Sequence, residues 1–189
     1  MRRLLTGTIG LFWAILPATG GAQGLAIKAG ASFSNVSNSG VLPGNAKQRT
    51  GYAVGLGLES SGELGWGLEG LYAQRGVTSS TPGDSRELNY IDVPLYLRLT
   101  LPVPGLRPFA YAGPQLSFEQ KCTNGAGTCP DSGRAKTTDA AVIGAGVHFG
   151  GLALEGRYIY GLTDLKLSTV KSSSSYQSRS LLLLVGIGM

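Results

Sequence analysis

From Gly24 onward the hydrophobic and polar positions of the chain alternate with a period of two, in stretches of about ten residues separated by turn-forming residues. The pattern is plainest over Leu88–Leu101. There Ile91, Val93, Leu95, Leu97, Leu99 and Leu101 share one face, and Tyr90, Asp92, Pro94, Tyr96, Arg98 and Thr100 share the other. Over Thr50–Ser60, Tyr52, Val54, Leu56 and Leu58 oppose Gly51, Ala53, Gly55, Gly57 and Glu59. Over Gly151–Leu162, Leu152, Leu154, Tyr158 and Tyr160 oppose Ala153, Glu155 and Arg157. Successive side chains of a strand point to opposite sides, so each stretch predicts a strand with one aliphatic face and one small, charged face. Further strands are predicted at Gly24–Ser34, Leu64–Thr78, Arg107–Gln120, Thr138–Phe149 and Ser178–Met189, making eight.

The links between them alternate in length. Those near 35–49, 79–87, 121–137 and 163–177 are long and polar, the last with a low-complexity tip at Lys171-Ser172-Ser173-Ser174-Ser175. The other three, Ser61-Gly62-Glu63, Pro102-Val103-Pro104-Gly105-Leu106 and Gly150-Gly151, read as tight turns. Long loops on one rim and short turns on the other predict an all-β fold, an eight-stranded antiparallel up-and-down transmembrane β-barrel with both termini at the short-turn rim. After Ala22 no apolar run approaches the ~20 residues a membrane helix requires, so a membrane-spanning form of this chain crosses with strands closed on themselves. Alternation alone also fits a soluble, lipocalin-like periplasmic carrier with its aliphatic face inside. Glycine argues the other way: many of the 30 glycines share the charged face, and small residues suit the crowded interior of a narrow barrel. The charged face is therefore assigned to the lumen and the aliphatic face to lipid.

Composition narrows the class further. Charged residues make up only 14% of the chain, and the density of glycine disfavours helix. Residues 1–22 read as a cleaved signal peptide, with Arg2 and Arg3 at its basic start, an apolar centre at Leu4–Leu16 too short to span, and Gly20-Gly21-Ala22 before the cut. Residues 23–189 form the barrel domain. No cysteine follows the apolar centre, which argues against lipid attachment there. Loss of residues 1–22 removes two arginines and no acid, lowering the formal charge from +5 to +3. With no basic run to track phosphates, nucleic acid is not an expected partner.

Several segments resemble the small outer-membrane β-barrel proteins often called "porin family protein". They are Leu68-Glu69-Gly70-Leu71-Tyr72, Tyr90-Ile91-Asp92-Val93-Pro94-Leu95, Leu106-Arg107-Pro108-Phe109 with Ala112-Gly113-Pro114, and Leu154-Glu155-Gly156-Arg157-Tyr158 with Gly161-Leu162-Thr163. The resemblance spans nearly the whole chain after Ala22. It implies location in a bacterial outer membrane and a barrel fold more than an activity. Pro94 and Pro114 fall where the pattern tolerates proline, and are expected at bulges. The chain departs from the pattern at its end, Ile187-Gly188-Met189, where such proteins commonly carry an aromatic residue read by the barrel-insertion machinery.

Strand parity points Lys28, Glu69, Asp92, Arg98, Glu155 and Arg157 into the lumen, with both signs nearly balanced. Charges in so narrow a space must pair and be hydrogen-bonded, so a plug-like network is expected rather than a conducting path. Cys122 and Cys129, six residues apart in the third long link, are expected to form a disulfide in an oxidising envelope compartment. Such a short closed loop contributes about 2 to 3 kcal/mol. The one histidine, His148, is placed at the short-turn rim, so neither a metal site nor a hydrolase triad is expected. No catalytic or cofactor-binding residue is assigned. Outward aromatics form two girdles, Phe33, Tyr52, Tyr72, Phe118 and Tyr160 toward the loops and Trp66 and Phe149 toward the turns. The leading expectation is a monomeric barrel of structural or surface-interaction duty, meeting outer-membrane lipid and, during assembly, the insertion machinery. The alternative is a narrow porin-like channel for small solutes.

Overall fold

The computed structural model describes residues 23–37, 47–78, 86–124, 127–128, 136–162 and 177–188. The expected signal peptide, the serine-rich tip at 171–175, Cys129 and Met189 lie outside the described residues. Nine strands are present among those described: β1 (Gln23–Ser37), β2 (Lys47–Ser60), β3 (Leu64–Thr78), β4 (Arg86–Thr100), β5 (Arg107–Asn124), β6 (Gly127–Thr128), β7 (Thr137–Phe149), β8 (Leu152–Gly161) and β9 (Gln177–Ile187). Eight are the staves of the barrel, each antiparallel to its chain neighbours. The ring closes where β1 meets β9, from Ile27↔Ile187 to Ser37↔Gln177. The ninth, β6, was not expected. β5 runs four residues past Gln120 into the third long link, and β6 folds back on its end with Thr123↔Thr128 and Asn124↔Gly127.

The staves are 10 to 18 residues long, at or above the ~9–11 that a tilted strand needs to cross a bilayer. Their ends depart from the sequence expectation by up to four residues, always at loop-facing or turn-facing ends where periodicity is weakest. The short turns rest on backbone-permissive residues. Gly105 (φ 79°) and Gly150 (φ 60°) occupy the left-handed region, and the Leu101 N–H donates to the Pro108 carbonyl at 2.9 Å across the turn between β4 and β5.

Parity decides what faces where. Leu25, Ile27, Val54, Leu56, Leu95, Leu97, Leu154, Leu183 and Val185 are exposed on the outside, as are Tyr52, Phe118 and Phe149 of the girdles. Such a contiguous apolar exterior would be insoluble in water and is stable in hydrocarbon, which is the reverse of the lipocalin arrangement. Inside lie Lys28, Glu59, Glu69, Asp92, Arg98, Glu155 and Arg157 together with alanines, serines and tyrosines, all buried.

The prolines correct one expectation. Register shifts occur between Gln48 and Ala53 on β2 and between Asn89 and Tyr90 on β4, not at Pro94 or Pro114. Pairing sums are the same on both sides of each proline, so each interrupts the ladder without adding a residue.

A charge on the lipid face tests the orientation. Leu183 is 52% exposed, and Leu183→Arg is expected to lower the stability of the barrel in lipid vesicles by about 2–4 kcal/mol, read from denaturant unfolding.

Candidate functional site: a charge network in the lumen

The lower half of the lumen, on the short-turn side, holds a single bonded cluster drawn from six staves. Lys28 on β1 sits among three carboxylates, its Nζ 2.7 Å from Glu59 Oε1, 2.6 Å from Glu69 Oε1 and 2.7 Å from Glu155 Oε2. Arg157 on β8, wholly buried, places Nη2 2.6 Å from both Glu69 Oε2 and Glu155 Oε1. Arg98 on β4 pairs with Glu59 and donates from Nη2 to the Ser60 carbonyl at 2.7 Å. Three cations thus face three carboxylates, and the cluster carries no net charge. Geometry keeps the cations from reaching every carboxylate lone pair, and two tyrosines add donors. The Tyr96 hydroxyl lies 2.5 Å from Glu69 Oε1 and 2.8 Å from Glu59 Oε1, while the Tyr111 hydroxyl donates to Glu155 and accepts from Arg157 Nε at 2.6 Å. Burying charge at this depth is tolerable only when each group is paired and hydrogen-bonded in this way.

Glycine makes room for the rings. A Cβ on Gly67 would fall 2.4 Å from the Tyr96 ring, and one on Gly144 would fall 2.2 Å from the Tyr111 ring. Each tyrosine lies over the bare backbone of the adjacent stave, and the two rings meet at 4.3 Å between centroids. Toward the turns Phe109 continues the stack, with Arg98 5.9 Å from its centroid and the His148 ring at 4.4 Å. His148 therefore faces the lumen at the short-turn rim and packs on an aromatic ring.

Toward the loops the lumen turns apolar. Along β3 the inward positions read Glu69, Leu71, Ala73, Arg75, and Val142, Ile159 and Leu182 join Leu71 and Ala73 in one buried cluster. Beyond it Arg75 pairs with Asp92 and lies 5.4 Å from the centre of the Tyr90 ring. Gln115 Nε2 donates to Ser117 Oγ at 3.0 Å nearby on β5. Five of the six lumen charges expected from parity, Lys28, Glu69, Arg98, Glu155 and Arg157, share the lower network. Asp92 does not; it forms a separate pair with Arg75. Parity had placed Glu59 on the lumen face without assigning it a partner, and Arg75 was missed. Near the loop rim a further cluster joins three staves, with Arg49 Nη2 2.5 Å from Glu87 Oε2 and Gln74 Nε2 2.6 Å from Glu87 Oε1.

Cys122 is buried on β5 beside the β6 hairpin, and its expected partner Cys129 lies outside the described residues. Among the described residues no group of three His, Cys, Asp or Glu is arranged to hold a metal ion.

Residues 22–167 match the family described as "Outer membrane protein beta-barrel domain". The chain belongs to this family. It is a bacterial outer-membrane β-barrel, as its lipid-compatible exterior requires. No curated protein matches it in sequence. Among solved structures it is similar to Ail, the attachment invasion locus protein of Yersinia pestis, crystallised with the heparin analogue sucrose octasulfate. The identity is 16% and the TM-score 0.52, over 88% of this chain and 99% of that one. It is also similar to Neisserial surface protein A, with 13% identity and a TM-score of 0.52, over 86% of this chain and 96% of that one. At these identities the likeness concerns the fold.

The outer-membrane barrel depends on Lys28 for neutrality. Lys28→Met leaves three buried carboxylates facing two arginines, and is expected to cost about 3–5 kcal/mol. The double variant Lys28→Met with Glu155→Gln restores neutrality, leaving Arg98 with Glu59 and Arg157 with Glu69. It is expected to recover a substantial part of that loss in denaturant unfolding.

Proposed function

We propose that this barrel is a closed outer-membrane platform with structural or surface-interaction duty, and not a pore. The observation that carries the reading is the charge-balanced, densely paired lower network backed by an apolar layer. An ion entering the lumen would have to break pairs of about 2.6–2.7 Å and then cross Leu71, Val142, Ile159 and Leu182. Because the three cations and three carboxylates cancel, the lower lumen also presents no field of one sign to draw ions in. With the axis filled, contact with partners falls to the two rims and the lipid-facing wall. An attachment protein crystallised with a polyanion shares the fold, which is consistent with surface duty. Reconstituted into planar bilayers, the protein is expected to show no steady single-channel current. A large, stable conductance would instead establish the porin-like reading.

The reading extends to the ends and the third link. Residues 1–22 are proposed as the cleaved export signal, since the first strand begins at Gln23. The hairpin of β5 with β6 brings the chain back beside Cys122, which supports a Cys122–Cys129 disulfide. The mature protein is expected to resist maleimide labelling until it is reduced, and labelling without reductant would exclude the bridge. The function proposed here uses no catalytic group: His148 packs on Phe109 at the rim opposite the long links.

A further inference from the structure

Strand β4 is deprived of ladder bonds toward both of its neighbours at the same height. On its β3 side the pairs run through Gly67↔Tyr96 and Leu68↔Leu95, then resume only at Leu71↔Asp92, so Glu69 and Gly70 have no ladder partner opposite Pro94 and Val93. On its β5 side Pro94↔Gln115 is followed by Leu97↔Ala112, leaving Leu95 and Tyr96 unpaired opposite Pro114 and Gly113. The cause is chemical. In an antiparallel ladder the N–H and C=O of one residue point to the same neighbour, and the next residue points to the other. Pro94 faces β3 and Leu95 faces β5, where it meets Pro114, and neither proline has an N–H to donate. The carbonyls of Glu69 and Leu95 each lose their ladder donor. The Leu95 carbonyl leans toward Gly113, where a Cβ would lie 2.0 Å from it.

The other ladders at this depth are unbroken. β7 pairs with β8 at every residue from Ala140↔Gly161 to Phe149↔Leu152, and β8 pairs with β9 from Leu152↔Ile187 to Tyr160↔Arg179. Beside the gap the outward face of β3 also carries a glycine. Gly70 is exposed with open space where a side chain would stand, and directly inward of it Glu69 accepts from Lys28, Arg157 and Tyr96.

We propose that the barrel wall opens locally at the middle of β4, between Pro94 and Pro114, before the rest of the ring at this depth; the longer gap in the β2–β3 ladder, between Gln48 and Ala53, lies nearer the loops. The gap is a built-in weak point of the wall beside the charge network. Backbone bonds in hydrocarbon have no water to replace them, so a ring opens where bonds are already missing. The inference is separate from the proposed surface duty and stands or falls without it.

Residue-resolved amide hydrogen exchange on the folded natural protein in micelles or vesicles tests it. The amides of Glu69, Leu95 and Tyr96, which point across the β3–β4 and β4–β5 seams, are expected to exchange at least tenfold faster than those of Val142, Ile143 and Tyr158. Pro94→Val and Pro114→Val each supply the absent donor, and each is expected to slow exchange at the flanking amides by about fivefold, the worth of one net hydrogen bond. Heat-shifted mobility on a gel confirms that each variant is folded. Equal protection of β4 and β7–β8 in the natural protein overturns the proposal, as does unchanged exchange in a folded Pro114→Val.

Discussion

A strand surrounded by hydrocarbon has no solvent to satisfy its N–H and C=O groups, and this constraint governs the rest of the molecule. It demands a ring without edges, which β1 and β9 complete over eleven paired positions. The ring in turn creates an interior, and the interior of eight strands is only wide enough for side chains. Everything distinctive about the lumen follows from filling that narrow space with a chain whose outward half must be apolar.

The filling is electrostatic because strand alternation leaves the inward positions free to be polar, and closure then brings together charges far apart in sequence. Lys28 on β1 reaches carboxylates on β2, β3 and β8, the last 127 residues away. In a low-dielectric interior such charges cannot stand singly, so stability and neutrality become the same requirement. The tyrosines add neutral hydroxyl donors to the same carboxylates. The glycines opposite them are volume made available on the neighbouring stave, a packing role distinct from turn formation at Gly105 and Gly150.

Closure is not uniform, and the proline pair shows where the constraint is relaxed. Pro94 and Pro114 are nearly opposite one another on adjacent staves and keep the register while withholding a donor each. The bonds that proline withholds therefore fall on one stave, beside the carboxylate through which most of the network is linked. The charge-balanced network and the donor-poor seam of β4 thus lie side by side.

Much of this is written in the linear chain. Period-two alternation over Leu88–Leu101 assigns faces because successive strand residues must diverge. Turn residues around Gly62, Gly105 and Gly150 locate the short rim because tight reversals need particular backbone angles. Parity alone puts Lys28, Glu69, Arg98, Glu155 and Arg157 inside. What parity lacks is height. Asp92 and Arg98 share a face of β4, yet one pairs with Arg75 near the loops and the other with Glu59 near the turns. That choice depends on how the staves slide past each other on closing. Glu59, Arg75, Tyr96 and Tyr111 gain their partners by the same stagger, and the prolines read as bulges until the register around them is known. Which face a residue takes is a local property of one strand, and the chain carries it. Which residues meet is decided by the tilt and offset of all eight, and these exist only once the ring is shut.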